Sequence, residues 1–95
     1  MDNFIITDEE YQKILRNIFD LTGPLKLKVY SPKLKKKITA LRRISEEFEP
    51  GREYSEKEVN ALLKAIYPDF ATLRRNLIDY GCLDRRSDCS VYWKK

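Results

Sequence analysis

Two segments with helical periodicity are separated by only three residues, Tyr67-Pro68-Asp69. Pro68 cannot continue the first helix, because it has no N–H to donate and its ring clashes with the preceding turn. Asp69 can cap the N-terminus of the second. Two helices joined by so short a corner are typical of a helix-turn-helix. The first of them has an apolar stripe at amphipathic spacing, made of Val59, Leu62, Leu63 and Ile66.

The segment after the corner predicts a second amphipathic helix, from about Phe70 to Tyr80. One face of this helix carries Phe70, Leu73, Leu77 and Tyr80. The opposite face carries Thr72, Arg75, Asn76 and Asp79. Gly81 follows and suits the left-handed residue that ends many helices. Two short extended stretches, 82–86 and 90–93, then flank Ser87-Asp88-Cys89 and predict a β-hairpin.

The N-terminal part of the chain predicts another helix and a strand. Thr7 and Glu10 match a capping box at the start of an amphipathic helix over residues 8–20. Gly23-Pro24 ends that helix. Residues 25–30 alternate between apolar and basic side chains, which is typical of a strand with one buried face.

A further helix is predicted between this strand and the helix-turn-helix. Ser31 is its expected N-cap and Pro32 its first residue. Ser55 to Glu58 form a second capping box, at the start of the helix that precedes Pro68. The apolar stripe of the helix after Pro32 consists of Leu34, Ile38, Leu41, Ile44 and Phe48.

The order of these elements predicts an α+β fold, a winged helix-turn-helix with an extra N-terminal amphipathic helix and a short strand. From residue 32 onward the chain reads helix, extended piece, helix, tight turn, helix and hairpin. The length fits one domain over residues 1–95. Residues 1–23 are then an N-terminal helical extension, and residues 24–95 form the winged-helix core.

Charge is distributed unevenly along the chain, whose formal net charge is +4. Residues 24–43 contain basic side chains and no acidic ones, residues 44–60 are mainly acidic, and the C-terminal part is rich in arginine. A basic block of this kind can attract phosphate groups, although a solvated helix face has the same composition.

The predicted fold suggests how such charges could be used on double-stranded DNA. In a helix-turn-helix the second helix lies in the major groove, where arginine can bind guanine and asparagine can bind adenine. We therefore expect base contacts from Thr72, Arg75 and Asn76. Backbone contacts are expected from the hairpin arginines Arg85 and Arg86, and from Lys33, Lys35, Lys36 and Lys37.

Structural roles for the same residues are alternatives. Arg75 and Asp79 are four residues apart on one helix and could form an ion pair. Arg74 could pair with Glu56 or Glu58, and Asn60 is expected to be a structural hydrogen-bonding group. Tyr92 and Trp93 alternate along a strand, so one is expected in the core and the other partly exposed.

Several functional classes are not supported by the sequence. There is no histidine, no glycine-rich phosphate loop and no nucleophile elbow, so we expect no enzyme, no catalytic residues and no cofactor. Cys82 and Cys89 are too few for a structural zinc site, and are expected to be ordinary thiols. No apolar run could span a bilayer and no signal peptide is recognisable, which predicts a cytoplasmic protein without a membrane partner.

Protein interaction is the main alternative function, because winged helices also serve as docking or dimerisation modules. The apolar face of the helix at 8–20 could pack on its own domain or on a second copy, which would make a homodimer. The aspartates beside the proposed DNA-reading face favour this alternative. RNA binding is a third, since basic hairpins do not by themselves distinguish the two nucleic acids.

The segments 54–60 and 69–81, Arg85 and Tyr92-Trp93 together resemble an uncharacterised prokaryotic family. It is a domain of unknown function found in bacterial transcriptional regulators, alone or after another helix-turn-helix. The resemblance covers roughly residues 24–93 and implies a winged-helix-like domain in gene regulation. It implies no catalytic or ligand-binding residues. The hairpin turn of the family usually contains glycine, whereas this chain has Asp88-Cys89, so the hairpin is expected to be longer or differently shaped.

Overall fold

The structure is a computed structural model that describes residues 5–95. In this part of the chain there are four helices and five short strands. The helices are α1 (Asp8–Ile18), α2 (Leu34–Ser45), α3 (Glu56–Ile66) and α4 (Phe70–Asp79). The strands are β1 (Phe19–Asp20), β2 (Lys26–Leu27), β3 (Glu53–Tyr54), β4 (Leu83–Arg85) and β5 (Tyr92–Lys94).

The strands form two small antiparallel sheets, so the predicted α+β class is confirmed. In the first sheet, β1 pairs with β2. In the second, the order is β3-β5-β4. The strand between α2 and α3, β3, therefore lies beside β5, the last strand of the hairpin. The predicted hairpin is therefore present and extended to three strands by Glu53 and Tyr54.

Both predicted capping boxes are confirmed. At α1 the Thr7 Oγ1 accepts from the Glu10 N–H at 3.1 Å, and the Thr7 N–H donates to Glu10 Oε1 at 3.2 Å. At α3 the same exchange joins Ser55 and Glu58, at 3.1 Å and 2.8 Å. The hydrogen bond from Lys35 is the main reason that the pKa of Glu10 is lowered. The backbone N–H of Ser55 lowers the pKa of Glu58.

The end of α1 differs from the prediction. The helix was expected to continue to residue 20, but it ends at Ile18, and Phe19 has extended backbone angles. The N–H groups of Lys28 and Val29 donate to the Ile18 carbonyl, at 2.7 Å and 3.4 Å. The residues after β2 therefore provide hydrogen-bond donors for the C-terminal end of α1. This arrangement depends on a tertiary contact, which helical periodicity does not show.

The start of α2 was also predicted wrongly. Ser31 was expected to cap the helix, but the N-cap is Lys33, which makes no side-chain capping bond. The Ser31 Oγ instead accepts from the Lys33 N–H at 3.1 Å, and the helix begins at Leu34. Leu34 was placed in the apolar stripe but is 48% exposed, because the first turn of α2 extends beyond the core.

The apolar face of α1 packs on its own domain, mainly on α2. Tyr11, Leu15 and Ile18 are buried in the single hydrophobic cluster. The edge of this contact is polar: Lys35 Nζ lies 2.8 Å from Glu10 Oε2. Of the two alternatives for this helix, the structure shows the intramolecular one, so a dimer through α1 would have to use its outer, polar face.

Helices α3 and α4 pack closely around the corner at Pro68. Leu63, Leu73 and Leu77 are fully buried between them and the rest of the core. The predicted cap is confirmed, since Asp69 Oδ1 accepts from the Thr72 N–H at 3.3 Å. Gly81 has the predicted positive φ, 77°. Within residues 5–95, none of the helices combines the length and the apolar character needed to cross a bilayer.

Thr39 is a fully buried residue of α2 whose hydroxyl has no hydrogen-bond partner among the described residues. An unsatisfied buried hydroxyl costs about 1–3 kcal/mol. We therefore expect Thr39→Val, which keeps the shape and removes the hydroxyl, to raise the free energy of unfolding by about 1 kcal/mol in urea denaturation. Thr39→Ser, which keeps the hydroxyl and loses the methyl group, is the control and should destabilise. A loss of stability in Thr39→Val would show that the hydroxyl has a partner.

Candidate functional site

The outer face of α4 is determined by the side chains that the helix buries. Leu73 and Leu77 face the core, which leaves Arg75 and Asp79 as the exposed residues on the opposite side. Ala71, Thr72 and Ile78 flank them and are partly buried. Of the three predicted base-contacting residues, Arg75 is the one whose position agrees fully with the sequence argument.

Arg75 forms no ion pair with any residue between 5 and 95. The alternative in which Arg75 pairs with Asp79 is therefore not observed. Other surface arginines do have carboxylate partners, for example Arg43 with Glu47 at 2.8 Å. The guanidinium of Arg75 thus keeps its donors available to a ligand.

Thr72 and Asn76 are already engaged within the protein. The Thr72 Oγ1 donates to Asp69 Oδ2 at 2.8 Å, as part of the cap of α4. The Asn76 Oδ1 accepts from the Tyr30 hydroxyl at 2.6 Å. Burial raises the pKa of Tyr30, so this hydroxyl remains a donor. Asn76 was predicted on the outward face, but it is partly buried, because Tyr30 of the β2–α2 segment lies against that side of α4.

Asn60 has the structural hydrogen-bonding role expected for it, and Arg74 has a structural role with a partner other than the expected carboxylate. The Arg74 Nη1 donates to Asn60 Oδ1, which ties α4 to α3. Neither of the predicted carboxylates is the ion-pair partner of Arg74 within the described residues, although Glu56 lies in the same groove. The Glu56 Oε1 accepts from the Tyr92 hydroxyl at 3.0 Å. Burial, together with this bond, raises the pKa of Tyr92 to about 12.

The strand pattern at β5 is confirmed. Tyr92 is buried in the core and Trp93 is partly exposed on the other face of the sheet. Arg85 is the cross-strand partner of Tyr92, so its side chain leaves the sheet on the face turned toward α4. Arg86 follows on the opposite face and lines a hollow with Trp93. The two hairpin arginines also line one further hollow together with Ile78, but of the two, the groove with Arg75 contains Arg85.

A groove of about 160 Å³ lies between α4 and the β4–β5 hairpin. Three guanidinium groups line it, one of them already bonded to Asn60. The two predicted site residues that the fold brings together here are Arg75 and Arg85. The remaining lining residues are Glu56, Arg74, Ile78, Asp79, Cys89 and Tyr92. The groove is thus a mixed surface with an excess of positive charge, suited to an anionic ligand that also offers hydrogen-bond partners.

A cysteine occupies the left-handed position of the hairpin turn. Cys89 has a φ of 63°, the left-handed conformation for which glycine is usually selected. Its N–H donates to the Arg86 carbonyl at 2.9 Å, and Asp88 Oδ1 accepts from the Ser90 N–H at 3.0 Å. The Cys89 Sγ lies 2.7 Å from Arg85 Nη1. The turn is closed by the two backbone-donated bonds, and the Cys89 side chain lies beside Arg85 at the groove.

The predicted lysines cluster at the N-terminus of α2, near the end of α4. Lys37 Nζ lies 5.9 Å from the centre of the Tyr30 ring and 6.0 Å from that of Tyr80. Lys35 is paired with Glu10, so its charge is partly neutralised, whereas Lys33 is exposed. Lys36 is partly buried. Lysines in the first turn oppose the helix dipole, so this cluster does not stabilise α2.

Sequence reasoning missed the part played by the β2–α2 region. Tyr30 holds α4 through Asn76, and its ring centre lies 6.0 Å from that of Tyr67. Lys26 Nζ donates to the Ala65 carbonyl at 2.8 Å and so satisfies the end of α3. The apolar and basic alternation of residues 25–30 gave a signal for a strand, but none for these partners.

Metal binding has no geometric basis in the described part of the chain, where no three carboxylate or thiol side chains are grouped closely enough to hold an ion. Cys82 and Cys89 are both free thiols. Burial raises the pKa of the Cys82 thiol.

Comparison with known proteins gives a family and no individual relative. No curated protein and no solved structure matches the sequence. A family model described as an uncharacterised protein conserved in bacteria matches residues 26–94, which include α2, α3, α4 and the hairpin. The chain therefore belongs to this bacterial family, DUF2087.

Proposed function

We propose that this chain is a winged helix-turn-helix domain that binds double-stranded DNA in bacterial gene regulation, and that its role is binding rather than catalysis. The element order supports the fold assignment. Helices α2, α3 and α4 form the three-helix unit, β4 and β5 form the wing, and β3 completes the sheet beside β5. Such a scaffold presents the helix after the tight corner to the major groove.

The observation that carries the proposal is Arg75, which has no ion-pair partner among residues 5–95 and lies on the outer face of α4, with Arg85 across the groove. Arginine can donate two hydrogen bonds to guanine O6 and N7. A guanidinium on the neighbouring hairpin can bind a phosphate at the same time, which fixes the orientation of the helix on the duplex. Base reading by Arg75 and backbone binding by Arg85 together form one continuous interface.

The lysines at the start of α2 add attraction that does not depend on sequence. Lys37 lies near the C-terminal end of α4, and Lys33 and Lys36 precede it at the start of α2, so they add positive charge beside that end of the helix. Phosphate neutralisation releases counterions, and the resulting affinity depends steeply on salt. In this proposal Arg86 is a peripheral contact, because it does not line the groove that contains Arg75 and Arg85.

Fluorescence anisotropy with a labelled duplex of arbitrary sequence tests the proposal. We expect a Kd of roughly 1–100 μM at physiological salt, as for non-specific DNA binding. If about four phosphates are contacted, a fourfold rise in salt should weaken binding about 100-fold. Absence of binding at low ionic strength would reject the proposal.

A docking module for another protein is the second candidate. Two exposed large side chains near Lys37 favour this candidate. They are Leu34, which is 48% exposed, and Tyr80, which is 36% exposed. This candidate predicts no salt-dependent affinity for a duplex. The anisotropy measurement therefore separates the two functions, and single-stranded RNA of equal length serves as the comparison for nucleic-acid type.

A further inference from the structure

An acidic residue shares the outer face of α4 with Arg75. Asp79 lies one helical turn after Arg75, is exposed, and lines the same groove. Within residues 5–95, Asp79 forms no ion pair with Arg75 or with any other basic side chain. A carboxylate is thus left available on the surface that the proposed function turns toward DNA.

The stability of the fold does not explain Asp79. It is the last residue of α4, and the last turn of this helix contains no basic side chain. The C-terminal end of a helix carries partial negative charge, so a carboxylate is unfavourable there. A carboxylate that contacted the DNA backbone would also be repelled by phosphate. A favourable role for Asp79 at a DNA surface therefore requires a hydrogen-bond donor rather than a phosphate.

We propose that Asp79 is a specificity-determining residue that accepts a hydrogen bond from the N4 amino group of cytosine, near a guanine bound by Arg75. This inference rests on the proposed function. Cytosine N4 is a donor in the major groove, and a carboxylate is its expected acceptor. Thr72 and Asn76, the other predicted base-contacting residues, are partly buried and have side-chain partners within the protein. Arg75 and Asp79 are therefore the pair of exposed residues on this helix left to read bases.

The spacing of the two residues predicts the spacing of the two bases. Four residues advance about 6 Å along a helix, and successive base pairs are about 3.4 Å apart. The cytosine should therefore lie one or two base-pair steps from the guanine.

Selection from random duplexes tests this inference, with the full chain and the variants Asp79→Ala and Asp79→Asn. We expect the unchanged protein to enrich a guanine and a cytosine within two steps of each other. Replacing that cytosine should weaken binding by roughly 5- to 150-fold, as for a typical mismatched base pair. Asp79→Ala should lose the cytosine preference and keep the guanine. Asp79→Asn should shift the preference at that position toward adenine.

Asp8→Ala is the matched control, because it removes an exposed aspartate from α1, which packs on α2. It should leave both base preferences unchanged. Thermal melting should show all three variants folded, since neither aspartate is buried. A cytosine preference that persists in Asp79→Ala or Asp79→Asn would overturn the inference while the proposed function stands. Absence of any duplex binding by the unchanged protein would reject the proposed function itself.

Discussion

Leu77→Ala is expected to lower the free energy of unfolding by about 3–5 kcal/mol. Leu77 is 0% exposed and lies on the inner side of α4, where the helix packs against α3 and β4. Truncation removes buried methyl groups and leaves a cavity that the helices can fill only in part. Because small domains have a total stability of about 5–15 kcal/mol, this loss is a large fraction of the whole.

Urea denaturation followed by circular dichroism measures this effect. Leu21→Ala is the control, since it makes the same chemical change at a side chain that is 51% exposed. It should change stability by less than about 0.5 kcal/mol. If Leu77→Ala were as mild as Leu21→Ala, the inner face of α4 would be assigned wrongly, and the outward direction of Arg75 with it.

Arg75→Ala is expected to weaken binding to the preferred duplex by about 1–3 kcal/mol, a factor of roughly 5 to 150. The loss arises because a bidentate contact to guanine disappears and no other side chain of the outer face can replace it. Preference for guanine at the contacted position should relax at the same time. Binding competition between duplexes that differ at that position gives both quantities.

Arg16→Ala provides the matched control for charge. Arg16 is exposed on α1, so the variant removes the same positive charge outside the proposed interface. We expect it to change affinity only slightly and to leave base preference unaltered. Equal losses in Arg16→Ala and Arg75→Ala would mean that the protein attracts DNA through net charge alone, without a reading helix.

Features fixed by neighbouring residues were predicted well from the sequence. The two capping boxes, the Asp69 cap and the left-handed Gly81 follow from short motifs whose partners lie within four residues. The burial of Leu73 and Leu77 follows from helical periodicity. The same periodicity predicted the outward direction of Arg75, the residue on which the candidate site mainly depends.

Features that depend on distant residues were not predictable in the same way. The end of α1 at Ile18 depends on amides from residues 28 and 29, and Asn76 is held by Tyr30, 46 residues earlier in the chain. The start of α2 at Leu34 was missed for a different reason: the serine–proline pair is a common helix start, but here Ser31 closes a local turn ahead of the helix. Periodicity shows which face a residue occupies and does not show what covers that face.

The arrangement of the hairpin illustrates how local chemistry shapes the site. A cysteine occupies the left-handed turn position, and its sulfur lies against Arg85. Strand alternation sends Arg85 toward the groove beside α4, whereas Arg86 lies beside Trp93. Both arginines also line a further hollow with Ile78. The sequence presents the two arginines as equivalent, but of the two, the groove with Arg75 contains Arg85.

An NMR titration of the ¹⁵N-labelled chain with a duplex at low salt tests the central claim most directly, since it reports which residues approach DNA. We predict the largest shift changes at Arg75 and Asp79 on α4 and at Arg85 on the hairpin. Smaller changes are expected at Lys33 and Lys37. Changes confined to α1 or to the Trp93 face of the sheet, with α4 unaffected at saturation, would contradict the assignment of α4 as the DNA-binding helix.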